Sequence, residues 1–309
     1  MTATGNEAVR LSQLRTLAGT SSNSVSLLSA SGSEAVTIAQ AAEALGITPT
    51  GTPDVGGRAI RLSQLRTAVN AFPSVEIVPW STGTDEQIAA MVAAADAGKI
   101  VLSDYWQAGD TRKVRLSAMA AGGVGESHAA QSVQFVLTDP GHYTLANGKP
   151  CNFVVLQKDC LEEQGVMNSQ STNRGGWNDC PRRTWCNSVY RNAIPSSLRG
   201  IFKQFTTYAA DGTGSPSVAS SDYFALFSEK EVFGSATNAN SSAESKNSQL
   251  TWFKTSSNRI KGANGRNRPW WERSPSGGNS GMFCCVNYAG EDSYGSSSDS
   301  YWLAPFGCI

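Results

Sequence analysis

A chain of 309 residues with 25 Lys and Arg against 25 Asp and Glu has no net charge, so bulk electrostatics draw it neither to nucleic acid nor to an anionic membrane. Its 16% charged residues fall below the roughly 25% usual for globular proteins, and the abundance of glycine and serine predicts a loop-rich fold. The length predicts one large domain with a smaller appendage.

The start, MTATGNEAVRLSQL, lacks the basic and apolar regions of a signal peptide. No apolar run approaches the about 20 residues that cross a bilayer. The expectation is a chain made in a cytoplasm, not secreted by a signal peptide and not inserted in a membrane. Residues 8–19, AVRLSQLRTLAG, return at 59–70 as AIRLSQLRTAVN, and AVTIAQAAEALG at 35–46 keeps the same apolar positions. Each copy reads as a brief strand followed by a short helix, capped in the two closer copies by Ser12 or Ser63. A unit this small buries too little to fold without neighbours, so residues 1–75 read as a repeated attachment or oligomerisation module, joined through TPTGTPDVGG.

Thr84 followed by Gln87 forms a capping-box pattern, and Ile88, Met91, Val92 and Ala95 share a face, predicting a helix over 84–97. Short strands are expected in IVLSDYWQAGDTRKVRLSAM, SVQFVLTD and CNFVVLQK. In GGWNDCPRRTWCNSVYRNAIP, Asp179 is placed to cap a helix with Pro181 in its first turn. IPSSLRGIFKQF aligns Leu198, Ile201, Phe202 and Phe205 behind a serine cap, and DYFALFSEKEVFG reads as a strand leading into a helical turn. The fold class predicted is α+β, with no βαβ alternation.

DYWQAGDTRKVRLSAM, QSVQFVLTD, MNSQSTNRGGWNDCPRRTWCNSVYRNAIPSSLRGIFKQF, DYFALFSEKEVFG, WWERSP and LAPFGCI occur in this order in a family of bacterial and prophage domains. Through these six motifs residues 80–309 resemble a C-type-lectin fold of the formylglycine-generating-enzyme type. The last fifty residues also resemble the variable proteins of diversity-generating retroelements, and the resemblance implies a variable region over about 267–302. The chain departs from the family in Trp302, which stands where a small residue is more usual. That leaves open whether Trp302 is scaffold or an aromatic contact at the rim of a site.

The tail supports a display role on its own chemistry. Between Ser276 and Tyr301 there are seven serines, five glycines, three tyrosines and two asparagines. Tyrosine offers contact area at little entropy cost, while serine, glycine and asparagine adapt their hydrogen bonds, as in antibody paratopes. A mobile polar loop is the plainer alternative. Against it, Trp270 and Trp271 precede the tract, LAPFGCI closes it, and MFCCVNYAG supplies a core strand with Phe283 and Val286 inward.

Randomising both adenines of an adenine-adenine-pyrimidine codon reaches Ser, Tyr, Asn, Asp, Gly and Cys. On that reading Glu272, Met282, Glu291 and Trp302 are fixed. The diversified, ligand-binding candidates are Ser276, Asn279, Ser280, Cys285, Asn287, Tyr288, Asp292, Ser293, Tyr294, Ser297, Asp299, Ser300 and Tyr301.

Other chemistries read more weakly. Seven cysteines, Cys151, Cys160, Cys180, Cys186, Cys284, Cys285 and Cys308, show no zinc-type C-x-x-C spacing and are expected as buried thiols. Cys284 and Cys285 invite a nucleophile or copper reading, but adjacent strand residues point to opposite faces, so Cys285 is expected exposed and Cys284 buried. His128 and His142 read as structural or surface residues. Glu229, Glu231 and Asp222 could pair as catalytic carboxylates, yet at this spacing surface pairs or helix caps are the simpler expectation. Arg182, Arg183 and Trp185, with Arg259, Lys261, Arg266 and Arg268, suggest stacking on nucleic acid or, better matched to a neutral chain, the stitching of loops. No cofactor is expected. The resemblance allows a structural calcium ion, although no EF-hand loop is present.

The sequence thus predicts a ligand-display protein without catalytic or metal residues, and the resemblance implies a phage or prophage particle as its setting. Its partners would be a protein or glycan on a target cell and, through the N-terminal module, virion proteins. It would form a homo-oligomer without nucleic acid, in the virion or in the host cytoplasm before assembly. A purely structural tail protein and, less in keeping, a formylglycine-generating-type oxidoreductase are the alternatives.

Overall fold

The computed structural model describes residues 75–214 and 216–309, so the repeats and their Ser12 and Ser63 lie outside the described residues. The larger of two units takes in Val78–Ala89 and Tyr105–Ile309. Of the other, residues 75–77 and 90–104 are described.

Helix α1 (Asp85–Asp96) starts as its sequence dictates: Gln87 N–H donates to Thr84 Oγ1 (3.2 Å), and Thr84 N–H donates to Gln87 Oε1 (2.8 Å). Ile88, Met91 and Val92 are buried. The strands in chain order are β1 (Thr111–Leu116), β2 (Gln131–Thr138), β3 (Val154–Gln157), β4 (Phe205–Ala210), β5 (Ser217–Asp222) and β6 (Phe224–Ala225). They continue with β7 (Lys261–Ala263), β8 (Arg266–Arg268), β9 (Trp270–Pro275), β10 (Met282–Val286), β11 (Asp292–Ser296) and β12 (Phe306–Cys308). Short helices α2 (Pro181–Trp185), α3 (Arg191–Ala193), α4 (Ser196–Arg199) and α5 (Glu229–Phe233) complete an α+β arrangement. A π-helical turn over Cys186–Tyr190 runs α2 into α3.

The main sheet has the order β1-β2-β3-β12-β6, antiparallel throughout. Its fourth strand is the C-terminus: Phe306 sits across from Leu156 of β3 and Ala225 of β6. The Phe306 ring stacks on Phe227 at 4.1 Å and 8° and on Tyr143 at 5.2 Å. Fully burying a side chain of this size contributes about 1.5–3 kcal/mol. The apolar ending is therefore an inner strand of the core. A second sheet, β11-β10-β9, carries the polar tract, and the pairs β4-β5 and β7-β8 stand apart.

Three sequence expectations need correction. Asp179 does not cap α2; Cys180 holds the N-cap position without a side-chain bond, because Pro181 at the first helical position already removes one N–H that a cap would satisfy. The helix expected through Phe205 stops at Arg199, beside Gly200, and Phe205 opens β4, although Leu198, Ile201, Phe202 and Phe205 are all buried. Of the two alternatives for Glu229 and Glu231, surface pairs fail because both are buried, and a helix cap holds for Glu231. Glu231 closes the predicted helix start, accepting from Ser228 N–H (2.9 Å), and Glu229 accepts from the N–H groups of Asn238 (2.9 Å) and Ala239 (2.7 Å).

Cations stitch loops, as expected. Arg182 donates to the carbonyls of Val124 and Val166, and Arg183 Nε to Asp222 Oδ1 at 2.6 Å. Lys261 Nζ reaches Gln157 O (2.7 Å) and Lys158 O (2.8 Å), and Arg259 reaches Phe253 O at 3.0 Å. His128 is buried, its Nδ1 3.0 Å from Glu163 Oε2, and burial holds its pKa below the ordinary value. His142 is half-buried with its ring edge to Tyr143.

Candidate functional site

The candidate surface is built on the hairpin β10–β11. Its turn is set by Asn287, whose Oδ1 accepts from Ala289 N–H (2.8 Å) and Glu291 N–H (3.0 Å), while its Nδ2 donates to Glu291 Oε2 (3.0 Å). Gly290 takes φ 83° in that turn, which favours a residue without Cβ. The register pairs Met282 with Ser296, Cys284 with Tyr294 and Val286 with Asp292.

One side of this hairpin is fixed by the acid-rich core. Arg273 on β9 forms a fork with Glu231, both contacts 2.6 Å and both side chains buried. Ser274 Oγ donates to Glu244 Oε1 (2.7 Å) and accepts from Glu229 N–H (3.0 Å). Glu272, fully buried, has no hydrogen-bond partner on either carboxylate oxygen. Desolvation, then the charges of Glu229, Glu244 and Asp292, raise its pKa well above the ordinary 4.5. Cys284 faces Glu229, Glu272 and Glu244, and its thiol is pushed up by burial and then by Glu229.

The other side is covered by aromatics. Tyr301 stacks on Trp271 at 4.5 Å, and its ring lies where a Cβ on Gly295 would stand, 2.6 Å away. Because alternate strand residues face opposite ways, Tyr301 packs on the face of Cys285, Ser293 and Gly295, and Tyr294 and Asp292 occupy the other. Cys285 is consequently 2% exposed, correcting the expectation of an exposed thiol beside a buried one. Alternation does separate the two sulfurs, but both faces of β10 are covered. The Cys285 thiol is pushed up to about 12 by burial and then by Glu272, so it is protonated at neutral pH.

The candidates therefore divide. Ser276, Cys285 and Ser297 are buried and cannot contact a ligand. Ser297 acts as a rivet: its Oγ donates to Gln170 O (2.9 Å) or Gly281 O (3.1 Å) and accepts from Thr172 N–H (2.8 Å). Ser276 donates its N–H to Met282 O, and its carbonyl accepts from Asn173. Asn287, Ser293 and Tyr301 are half-buried, and Asn279, Ser280, Tyr288, Asp292, Tyr294, Asp299 and Ser300 are exposed.

The exposed residues do not form one patch. Asn279 and Ser280 lie at one end of the hairpin, where Ser171 donates to Gly281 O (3.3 Å) and meets Ser296 Oγ (3.0 Å), itself 3.0 Å from Ser298 Oγ. Tyr288 is at the turn, about five strand residues or roughly 17 Å away. Tyr294 stands between them, and Tyr301 is behind.

Two residues outside the sequence expectations hold this frame. Asn173 donates through Nδ2 to the carbonyls of Ser276 (3.2 Å), Asn279 (2.9 Å) and Met282 (2.9 Å). Asn238 binds Glu229 and, through Nδ2, Asp292 Oδ2 (3.1 Å). Their partners lie as far as about a hundred residues along the chain, and no local pattern marks them. Trp302, open in the sequence, is scaffold: it is buried, its indole N–H donates to Glu162 O (3.2 Å), and Arg268 lies 4.3 Å over its ring.

The fold and frame thus define a mixed α+β domain whose C-terminal half carries a locked hairpin with polar and tyrosine side chains outward. Residues 152–309, just over half of the chain, match the family described as "Domain of unknown function (DUF6273)", and the chain belongs to that family. No curated protein and no solved structure matches it. Among the described residues no group of His, Cys, Asp and Glu is arranged to hold a metal ion, and no helix is long and apolar enough to cross a membrane.

Proposed function

We propose that the chain is a recognition protein that binds its target non-covalently through the β10–β11 hairpin and the loops at its base. In this reading residues 80–309 form a C-type-lectin-like display domain of a phage or prophage particle. A diversity-generating retroelement varies the exposed positions, and the N-terminal repeats attach the chain to the virion. The observation that carries the reading is the placement of the exposed aromatics. Of the four large apolar or aromatic side chains exposed among the described residues, two, Tyr288 (68%) and Tyr294 (51%), stand on this one hairpin. Exposed tyrosines on an immobilised frame have the low entropy cost that suits recognition.

The test is a binding screen of the full chain against target-cell surface proteins and glycans, repeated with Tyr288→Ala and Tyr294→Ala. Loss of binding at unchanged melting temperature supports the reading. Unchanged affinity for a ligand so found removes the hairpin from the site.

A further inference from the structure

The outer strand of the β9–β11 sheet has unused backbone groups, and ladder parity fixes which they are. At the turn Asn287 N–H donates to Glu291 O (2.9 Å), and at the base Ser297 N–H donates to Gly281 O (2.9 Å). Hydrogen-bonded and non-bonded pairs alternate in an antiparallel ladder. Ser293 and Gly295 therefore bond to β10, while Asp292, Tyr294 and Ser296 turn their N–H and C=O groups away from it. Ser276 N–H, which donates to Met282 O from the β9 side, has the same phase. Ser296 O accepts from Asp299 N–H (2.8 Å), but among the described residues no group meets the N–H or C=O of Asp292 or Tyr294. Both residues are exposed.

Open edges invite strand pairing, and proteins commonly blunt them with charged side chains or proline. The edge strand β1 of the main sheet carries exposed Lys113 and Arg115; β11 carries no Lys, Arg or Pro. From Ser274 to Ile309 the chain has no Lys or Arg, whereas Glu291, Asp292 and Asp299 are exposed acids. A second copy would bring these acids against their like; a basic strand would neutralise them.

We propose that the free edge of β11 binds an extended, basic polypeptide segment of a partner by strand addition, with Asp292 and Tyr294 supplying the ladder and the Tyr294 ring covering it. This rests on the recognition reading and narrows its partner to a polypeptide, since a glycan has no repeating N–H and C=O row to complete the ladder.

The experiment selects short linear peptides from a displayed random library on the immobilised full chain, then measures the synthesised winners against wild type, Tyr294→Ala and Tyr294→Pro. Proline at 294 removes an outward N–H and leaves the β10 ladder intact, so its difference from alanine isolates the edge. The expected winners are rich in Lys and Arg, weaken as salt rises, and lose roughly tenfold or more in affinity with Tyr294→Pro relative to Tyr294→Ala. Should Tyr294→Pro not fold, winners N-methylated at alternate amides read the same bonds on wild type, one phase losing binding and the other retaining it.

Retention of no peptide above a Gly/Ser control overturns the edge proposal, as does equal binding by the two variants or equal tolerance of both methylation phases. None of these touches recognition of a folded or glycan target through Tyr288 and Tyr294. Sedimentation of the chain alone showing a dimer that Tyr294→Pro dissolves assigns the edge to a second copy and also overturns the proposal.

Discussion

Residues 292–309 hold two strands with opposite duties. β12 is an inner strand whose Phe306 stacks within the core, whereas β11 is an outer strand with one exposed tyrosine and free backbone groups. The few residues between them, with Ser297 bolted to Gln170 and Thr172 and Tyr301 laid on Trp271, carry the chain from one to the other. The difference shows how one segment can be intolerant of change at its end and permissive shortly before it. Position in the sheet decides, and composition only follows.

Substitutions can break or sharpen this contrast. Phe306→Ala should be the most damaging, costing about 3–5 kcal/mol in urea unfolding, because a stacked inner-strand ring leaves a cavity. Glu231→Ala should cost a similar amount, about 3–5 kcal/mol, by leaving Arg273 charged and unpaired in the interior; the same unfolding curves measure it. Tyr301→Ala should fall between the two strands in effect, near about 1–2 kcal/mol, since half its ring is scaffold. Tyr288→Ala and Tyr294→Ala should each change stability by less than about 0.5 kcal/mol.

Glu272 tests the frame through pH. Its folded pKa is raised, so its favourable contribution is complete below about pH 4.5 and is lost as pH rises through the folded value. Glu272→Gln carries no titrating proton. Relative to wild type it should gain stability at neutral and alkaline pH and show little gain near pH 4, as melting across pH would record.

The sequence made much of this legible. The apolar run MFCCV marks a core strand, LAPFGCI an apolar anchor, the Thr84–Gln87 spacing a helix start and DYFALFSEKEVFG a helical turn, because each is a local pattern with a local cause. The site was less legible. Alternation separates Cys284 from Cys285 correctly but cannot report that a second layer covers each face, and so Cys285 was expected outside. Ser276 and Ser297 share their residue type with exposed neighbours, and only partners as far as 127 residues away distinguish a rivet from a contact. The division of the tyrosines among the turn, one face and the opposite face follows from ladder register, which composition does not encode.

The most direct measurement replaces Asn279, Ser280, Tyr288, Asp292, Tyr294, Asp299 and Ser300 together with alanine in the full chain and records urea unfolding. A frame that holds an interchangeable face predicts one cooperative transition with a total loss below about 2 kcal/mol. A loss equal to that of Phe306→Ala, or a broadened transition, would contradict it, for the outward residues would then be part of what keeps the domain folded.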